Sequence, residues 1–458
     1  MANYTKRRPS PYLLFHTKKE RSFGIGSNPA ITKFPMKDVI RIMTDNKMGA
    51  ASGTFSIELV YYKVPPSDVE SYYYDTIHPL DVVEIELEEG TTTMIGIVDK
   101  VEKSTVVGTK NVKRGVQITG RSLSAIWEFD LIKYFTNALG LSDDLAHRNL
   151  LLQQGQILLN FAEKPPYEAI IEIYTHLPMF SMELYGGKTA EDFLDVGSEL
   201  FVRKDEKIFA RGISPYAGSV WDYFKTYIQE PFNELWTDSR DGKLVLRSRP
   251  TPFSHGKKDP ESAESALGES RISSWHDTKN WIGGSAFHVI NPSDIREERI
   301  SRDHGNAYSV FAVLSSDKFT GADAEYATFH PLIDSPLVKE IGTRDNQVSL
   351  NYIPIVGDGK TTDGSLERYE YYRNKLYLWN RDNHRMEGGS MTLMGNSNIR
   401  AGDRIFREDL NTEFYVTGVS NNWAFGQPFT TNVAISRGLR RDTRDNLYEA
   451  GMNFLKGI

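Results

Sequence analysis

Three glutamates at every second position, Glu84, Glu86 and Glu88, alternate with Val83, Ile85 and Leu87. In an extended strand that period puts three carboxylates on one face and three apolar side chains on the other. Neighbouring carboxylates repel and mark a solvated face, whereas a Ca²⁺ site gathers its oxygens from one turning loop. Glu163 beside Lys164, and Glu168 with Glu172, have the composition of a glycosidase pair, which requires a cleft of defined width. The ten histidines are scattered: His276 beside Asp277 and His384 near Asp382 lack metal-ligand spacing. Gly24-Ile25-Gly26 lacks the third glycine and the preceding strand of a dinucleotide loop, and no Walker, HExxH or GxSxG motif is present. The chain has no cysteine, which removes disulfides, thiolate metal sites and cysteine nucleophiles. These residues assign no catalytic group, no metal ligand and no cofactor, and they predict a non-enzymatic protein.

The elements that would carry the acidic row read as strands. The 458 residues suffice for two to four domains, and 12% aromatic content suits sheets. A formal charge of −7 argues against a surface built to hold nucleic acid. No apolar run approaches the ~20 residues of a membrane span, and Tyr12 to Phe15 is too brief for the apolar core of a signal peptide. Residues 1–34 form a basic segment whose prolines 9, 11 and 29 and glycines 24 and 26 argue against one long strand or helix. It is either a solvated tail or an arm lying on an acidic neighbour, anchored by Tyr12, Leu13, Leu14 and Phe15.

From Val39 the period is two. Phe55, Ile57 and Leu59 mark one strand, the Glu84 row a second, and Met94 to Val101 and Gly115 to Gly120 two more, which together suggest a small barrel over 35–124. The region 125–272 reads as α+β. Helices are expected after Ser122 or Ser124 to Gly140, after Ser142, over Tyr167 to Thr175, and after Ser219 over Val220 to Ile228. A hairpin pairs Asn233–Thr237 with Lys243–Arg249 around Asp241-Gly242, and 255–270 reads as a linker. Over 273–440 strands return, including Tyr308 to Leu314, Gln347 to Ile355 and a closing series from Gly389. An inserted segment at about 315–390 carries a helix over Asp363 to Trp379, and 441–458 is a tail.

The closing series echoes the first strands. Pro79-Leu80-Asp81 precedes a strand, a turn and Ile95-Gly96-Ile97, while Ala401-Gly402-Asp403 precedes a strand, a turn and Thr417-Gly418-Val419. Fifteen residues separate Asp from Gly in both, Asp81 to Gly96 and Asp403 to Gly418. Asp suits a tight turn entering a strand and Gly a bend in a coiled one. Two unrelated hairpins could show the same pattern; matched order and spacing favour a duplicated barrel.

This order of features resembles the central hub proteins of phage baseplates, relatives of the spike-hub proteins of type VI secretion and of tailed bacteriocins. The resemblance rests on the Asp81 to Arg121 series, on Asn233-Glu234-Leu235 with Asp241-Gly242-Lys243-Leu244, and on Ile399 to Asp403, Phe414 to Val419 and Arg437-Gly438-Leu439. It implies a mainly β chain with an α+β middle and two related tube-type barrels. It further implies a homotrimer whose six barrels form a pseudo-hexameric ring, adapting a six-fold tail tube to a three-fold spike around a DNA exit channel. The implied partners are further copies of the chain, a tail tube or distal tail protein, a central spike and a tape-measure protein, with DNA in passage and no membrane insertion. The implied location is the virion baseplate, after synthesis in the host cytoplasm. In such a ring Glu84, Glu86 and Glu88 face either the lumen, where a negative wall repels phosphate, or the outer solvent. A tail-associated cell-wall hydrolase and a glycan-binding tail protein are the competing readings. The basic arm has no counterpart in the shared pattern.

Overall fold

The computed structural model describes residues 9–16, 31–34, 38–61, 73–107, 112–128, 166–175, 184, 187–200, 219–228, 230–250, 286–315, 331–350 and 362–440, with seven positions between 443 and 455. The fold is mainly β. Its strands are β1 (Pro9–His16), β2 (Ile31–Phe34), β3 (Val39–Lys47), β4 (Thr54–Val60), β5 (Val82–Glu88), β6 (Thr91–Val107), β7 (Val112–Ser122), β8 (Leu194–Leu200), β9 (Asn233–Arg240) and β10 (Lys243–Pro250). There follow β11 (Phe287–Ile290), β12 (Ile295–Arg302), β13 (Val310–Ser315), β14 (Leu332–Ile333), β15 (Asp345–Leu350), β16 (Glu387–Met394), β17 (Arg404–Arg407), β18 (Thr412–Ala424) and β19 (Thr430–Arg440).

Thirteen of these strands form one sheet, ordered β12-β16-β19-β18-β3-β4-β7-β6-β5-β1-β2, with β17 on β18 and β11 on β17. The path has two halves with the same internal order. In the first, β3 pairs β4, β4 pairs β7, β7 pairs β6 and β6 pairs β5. In the second, β12 pairs β16, β16 pairs β19, β19 pairs β18 and β18 pairs β17. A β18–β3 ladder joins the halves. Each has its own apolar core, one around Phe55, Ile57, Ile85 and Ile118 and one around Met391, Phe414, Val416 and Val433.

The middle region packs a third core, in which Trp127 stacks on Trp221 at 6.4 Å and meets Phe224 edge-on at 5.6 Å. The helix Val220–Tyr227 starts as its sequence requires: Asp222 N–H donates to Ser219 Oγ, and Ser219 N–H to the Asp222 carboxylate, both at 3.2 Å. The Asn233/Lys243 hairpin turns on two residues, Asp241 (φ 49°) and Gly242 (φ 71°), a tighter turn than the five-residue one expected, with Arg240 opposite Lys243. The helices Pro166–Thr175 and Thr362–Asn380 fall where the pattern put them, Tyr372 and Leu376 buried on the second.

The described residues of the arm form two short strands rather than one long one: β1 runs through Pro9 and Pro11, with a register shift between Pro9 and Tyr12, and Leu13 and Phe15 are fully buried. Ser122 caps no described helix. Among the described residues the short 3-10 turn Leu123–Trp127 follows it, and Ser122 Oγ receives Gly53 N–H at 3.1 Å. Strand β12 pairs directly with β16, and among the described residues between them β13, β14 and β15 form a separate three-stranded sheet. Most of the expected Ser122–Gly140 helix, the Ser142 helix, the 255–270 linker, Gly24 to Gly26, Glu163 and His276 lie outside the described residues.

Candidate functional site

The two aspartates that mark the sequence echo occupy the same turn. Asp81 is 1% exposed, and its carboxylate accepts His78 N–H at 2.9 Å while its own N–H donates to the His78 carbonyl at 3.2 Å. Asp403 is 0% exposed, and repeats both bonds with Arg400, at 2.9 and 3.1 Å. One residue earlier both halves take a positive φ, 72° at Leu80 and 88° at Gly402. One strand further on, Val98 N–H donates to the Asp81 carbonyl and Val416 N–H to the Asp403 carbonyl, each at 2.9 Å.

Alignment on these bonds brings two β-bulges into register. The β6–β7 ladder shifts between Val98 and Lys100, and the β18–β19 ladder between Val416 and Gly418. The β3–β4 ladder shifts between Val39 and Arg41, and the β12–β16 ladder between Ile295 and Glu297. In both halves the residue before this second shift faces a leucine, Leu59 or Leu393. A bulge is a specific backbone insertion, so two at matched positions are a stronger mark of duplication than any residue identity.

The same alignment separates the two glycines. Seventeen residues lie from Asp81 to Val98 but thirteen from Asp403 to Val416, because the β17–β18 hairpin is shorter. Gly96, two before Val98, therefore matches Phe414, and Gly418 matches Lys100. The equal spacing of Asp81–Gly96 and Asp403–Gly418 is a coincidence of hairpin length. Gly96 serves another purpose: a Cβ there would lie 2.4 Å from Phe55, and one on Gly120 2.5 Å from the same ring.

The acidic row is real but it is not an open, wet face. Val83, Ile85 and Leu87 are fully buried, as the alternation requires. The opposite face is covered as well. Val82, Ile95 and Ile97 belong to the core of the middle region, and the β9–β10 hairpin lies across them. Ser239 Oγ receives Ile95 N–H at 3.0 Å, and Gly242 N–H donates to Thr92 Oγ1 at 3.0 Å. Glu84 is half-buried and meets His16 Nε2 of the arm at 2.6 Å. Glu86 is half-buried, opposite Tyr12 of β1. Burial, then the charges of Glu84 and Glu86, push the Tyr12 phenol above its usual pKa. Glu88 is 3% exposed and accepts Ser397 N–H at 2.8 Å and the Ser397 hydroxyl. The expectation of three wet carboxylates fails at Glu88, which ties the first half of the sheet to the second, and at Glu84, which ties it to the arm.

Around these residues lies a polar junction that no local pattern announced. Arg400 donates to the Thr92 and Thr93 carbonyls at 2.6 and 3.2 Å and stands 3.8 Å from Asp238. Asp238 pairs with Arg240 at 2.6 Å and with buried Arg247 at 3.6 Å, the latter over the Trp236 ring. Tyr415 Oη donates to Glu234 at 2.7 Å, and Asn46 to the Thr237 carbonyl at 2.9 Å. Strand β9 therefore bonds to both halves. Buried charges held this way are costly to break singly, by about 3–5 kcal/mol, so the junction fixes the two halves relative to each other. Among the described residues no cluster of His, Asp and Glu could hold a metal ion. No described helix is long and apolar enough to cross a membrane.

No family model and no curated protein matches this sequence. Among solved structures the chain is similar to a tail protein from Neisseria meningitidis MC58, at 12% identity and a TM-score of 0.49, covering 93% of this chain and 96% of that one. It is similar to the 43 kDa tail protein of prophage MuSo2 from Shewanella oneidensis, at 11% identity and 0.46, covering 94% and 99%. A third likeness is to the E. coli c3393 protein, a type VI secretion component, at 8% identity and 0.38, covering 88% and 74%.

Proposed function

We propose that this chain is a structural, non-enzymatic hub of a phage tail baseplate. Three copies form a ring in which each contributes two related tube-type barrels, near residues 35–124 and 273–440. The observation that carries this reading is the duplication: the same strand order, aspartate turn and pair of bulges occur twice in one chain. A chain with two copies of one unit, rigidly joined, presents six units when three chains close around an axis. That arrangement matches a six-fold tube on one side and a three-fold spike on the other.

In this reading the neighbours along the axis are a tail tube or distal tail protein, a central spike and a tape-measure protein, and DNA passes through without being bound. The junction at Asp238, Arg400 and Glu88 holds the two units at a fixed angle, which a closed ring requires. The basic arm completes the first unit from within the chain. The protein belongs to the virion and is made in the host cytoplasm.

Native mass spectrometry of the purified chain tests the stoichiometry. The expected result is a species of three times the 52.0 kDa chain, in equilibrium with monomer at low concentration. A dimer, or a monomer at every concentration, would overturn the trimeric reading.

A further inference from the structure

The sheet has one seam between its halves, and the duplication says what a second seam must look like. In the first seam the edge of β3 pairs antiparallel with the distal part of β18, Lys47 opposite Gly418 through to Arg41 opposite Ala424. By the alignment above, β12 is the counterpart of β3 and distal β6 the counterpart of distal β18. Strand β12 is the terminal strand of the sheet, so its outer edge has no strand partner among the described residues. Beyond Ile97, β6 pairs only with β7 among the described residues, so the edge that matches the β3-binding edge of β18 has no described partner either. Both segments are solvent-exposed along most of their length: Glu297, Glu298, Arg299, Ser301 and Arg302 on one, and Glu102, Lys103, Ser104 and Thr105 on the other.

The geometry points to a head-to-tail pairing between two copies, in which β12 of one chain adds antiparallel to distal β6 of the next in the register of the β18–β3 seam. Transferring that register puts Glu102 opposite Ser301, Lys103 opposite Ile300 and Thr105 opposite Glu298 of the adjacent copy. One directly opposed charge pair agrees with it: Lys100 falls opposite Asp303, while the diagonals are mixed, Glu102 lying next to Arg299 and Asp303 and Lys103 next to Glu298 and Arg302. A slip of one residue would turn every one of these side chains to the wrong face. Because the two surfaces differ, the contact is heterologous and closes only as a ring or runs on as a filament. The pairing stands on the duplication; closure at three copies rests on the hub reading.

The chain has no cysteine, so a disulfide reports the register directly. Glu102→Cys and Ser301→Cys in one chain, oxidised under native conditions, are expected to give covalent oligomers ending at a trimer on a denaturing gel. A mixture of the two single variants is expected to give only dimers. Ser420→Cys with Asp45→Cys occupies the matching place in the seam within one chain and is expected to close intramolecularly, which shows that the geometry permits the bond. Glu102→Cys with Arg302→Cys, one residue out of register, is expected to cross-link at least tenfold less. If the in-register pair fails while the control closes and native mass still shows a trimer, the edge pairing is wrong and the ring survives. If the pair cross-links into a ladder running past three, the pairing is right and the trimeric ring is wrong. A monomer that never cross-links overturns both.

Discussion

Val82 and Ile95 in the first half of the sheet stand where Arg404 and Glu413 stand in the second, one residue after each aspartate and three before each matched valine. The first pair is apolar and joins the core of the middle region. The second is an ion pair at 2.9 Å with both side chains fully buried, its guanidinium beside the Phe287 ring. A similar exchange occurs in the core. Phe55 of β4 fills the space over Gly96 and Gly120 in the first half, whereas in the second the ring is Phe414 of β18, seated over Gly438. Gly389 stands at the place of Phe55, and Phe414 at the place of Gly96. What the halves share is backbone: turns, bulges and ladder order. What they do not share is which strand supplies the bulk and whether a face is closed by hydrocarbon or by charge.

That comparison can be broken most strongly at the buried ion pair. Glu413→Ala leaves Arg404 charged and buried and is expected to cost about 3–5 kcal/mol. Arg404→Val with Glu413→Ile, which writes in the first half's residues, is expected to restore most of that loss, since apolar replacement of a buried pair is often neutral. Denaturant titration of the three proteins decides it, and a double variant as unstable as the single would deny the equivalence.

The aromatic exchange is the next largest effect. Phe55→Ala is expected to cost about 3–4 kcal/mol, and Gly96→Phe alone about 1–3 kcal/mol through overpacking. Phe55→Ala combined with Gly96→Phe should destabilise by less than the two single changes added, by ~1 kcal/mol or more, because the sites touch. Strict additivity in the same titration would mean that the ring cannot be carried by either strand.

The turn residues sharpen the comparison with opposite signs. Leu80 is 43% exposed at φ 72°, a conformation its matched Gly402 takes without strain. Leu80→Gly should be neutral to stabilising, by up to ~1 kcal/mol, and Gly402→Leu destabilising by about 1–2 kcal/mol. Thermal melts of the two variants read both signs.

The smallest effect belongs to the insertion that only the second half carries. Burial, followed by the charge of Arg385, holds the His384 pKa below its ordinary value. Its contribution to stability is therefore complete above about pH 6.5, the unfolded value, and is lost as the pH falls below it. Comparing the parent with His384→Gln between pH 7.5 and 5.5 isolates it: the parent should lose more stability on acidification. A flat difference would contradict the shift.

How much of this was legible depended on whether the signal was local. The alternation of Phe55, Ile57 and Leu59, and of Val83, Ile85 and Leu87, is a property of consecutive residues and located the strands and their core faces. The aspartates Asp81 and Asp403 were legible for the same reason, since each makes its turn with the residue three positions earlier. The glycine match misled because the hairpin between aspartate and bulge varies in length while the hydrogen bond closing it does not. A signal for the covered acidic face was present in Met94-Ile95-Gly96-Ile97-Val98, which has no polar residue on either face and reads as a strand buried on both. The Glu88–Ser397 contact joins residues 309 positions apart, and no periodicity reports such a pair. Pro9 and Pro11 argued against one long strand on local grounds, and the described arm forms two short strands with a register shift at the prolines.

In the proposed hub, one chain carries the same unit twice so that three chains make six. A density map of the assembled baseplate tests this most directly, provided that β6 and β18 are traced in every subunit. The expected map has three chains around one axis, the Asp81 and Asp403 turns alternating at one radius and one height in steps of about 60°, each β12 laid against the β6 of the next chain. Six copies in the ring, a two-fold arrangement, or the two halves of one chain stacked along the axis would contradict it.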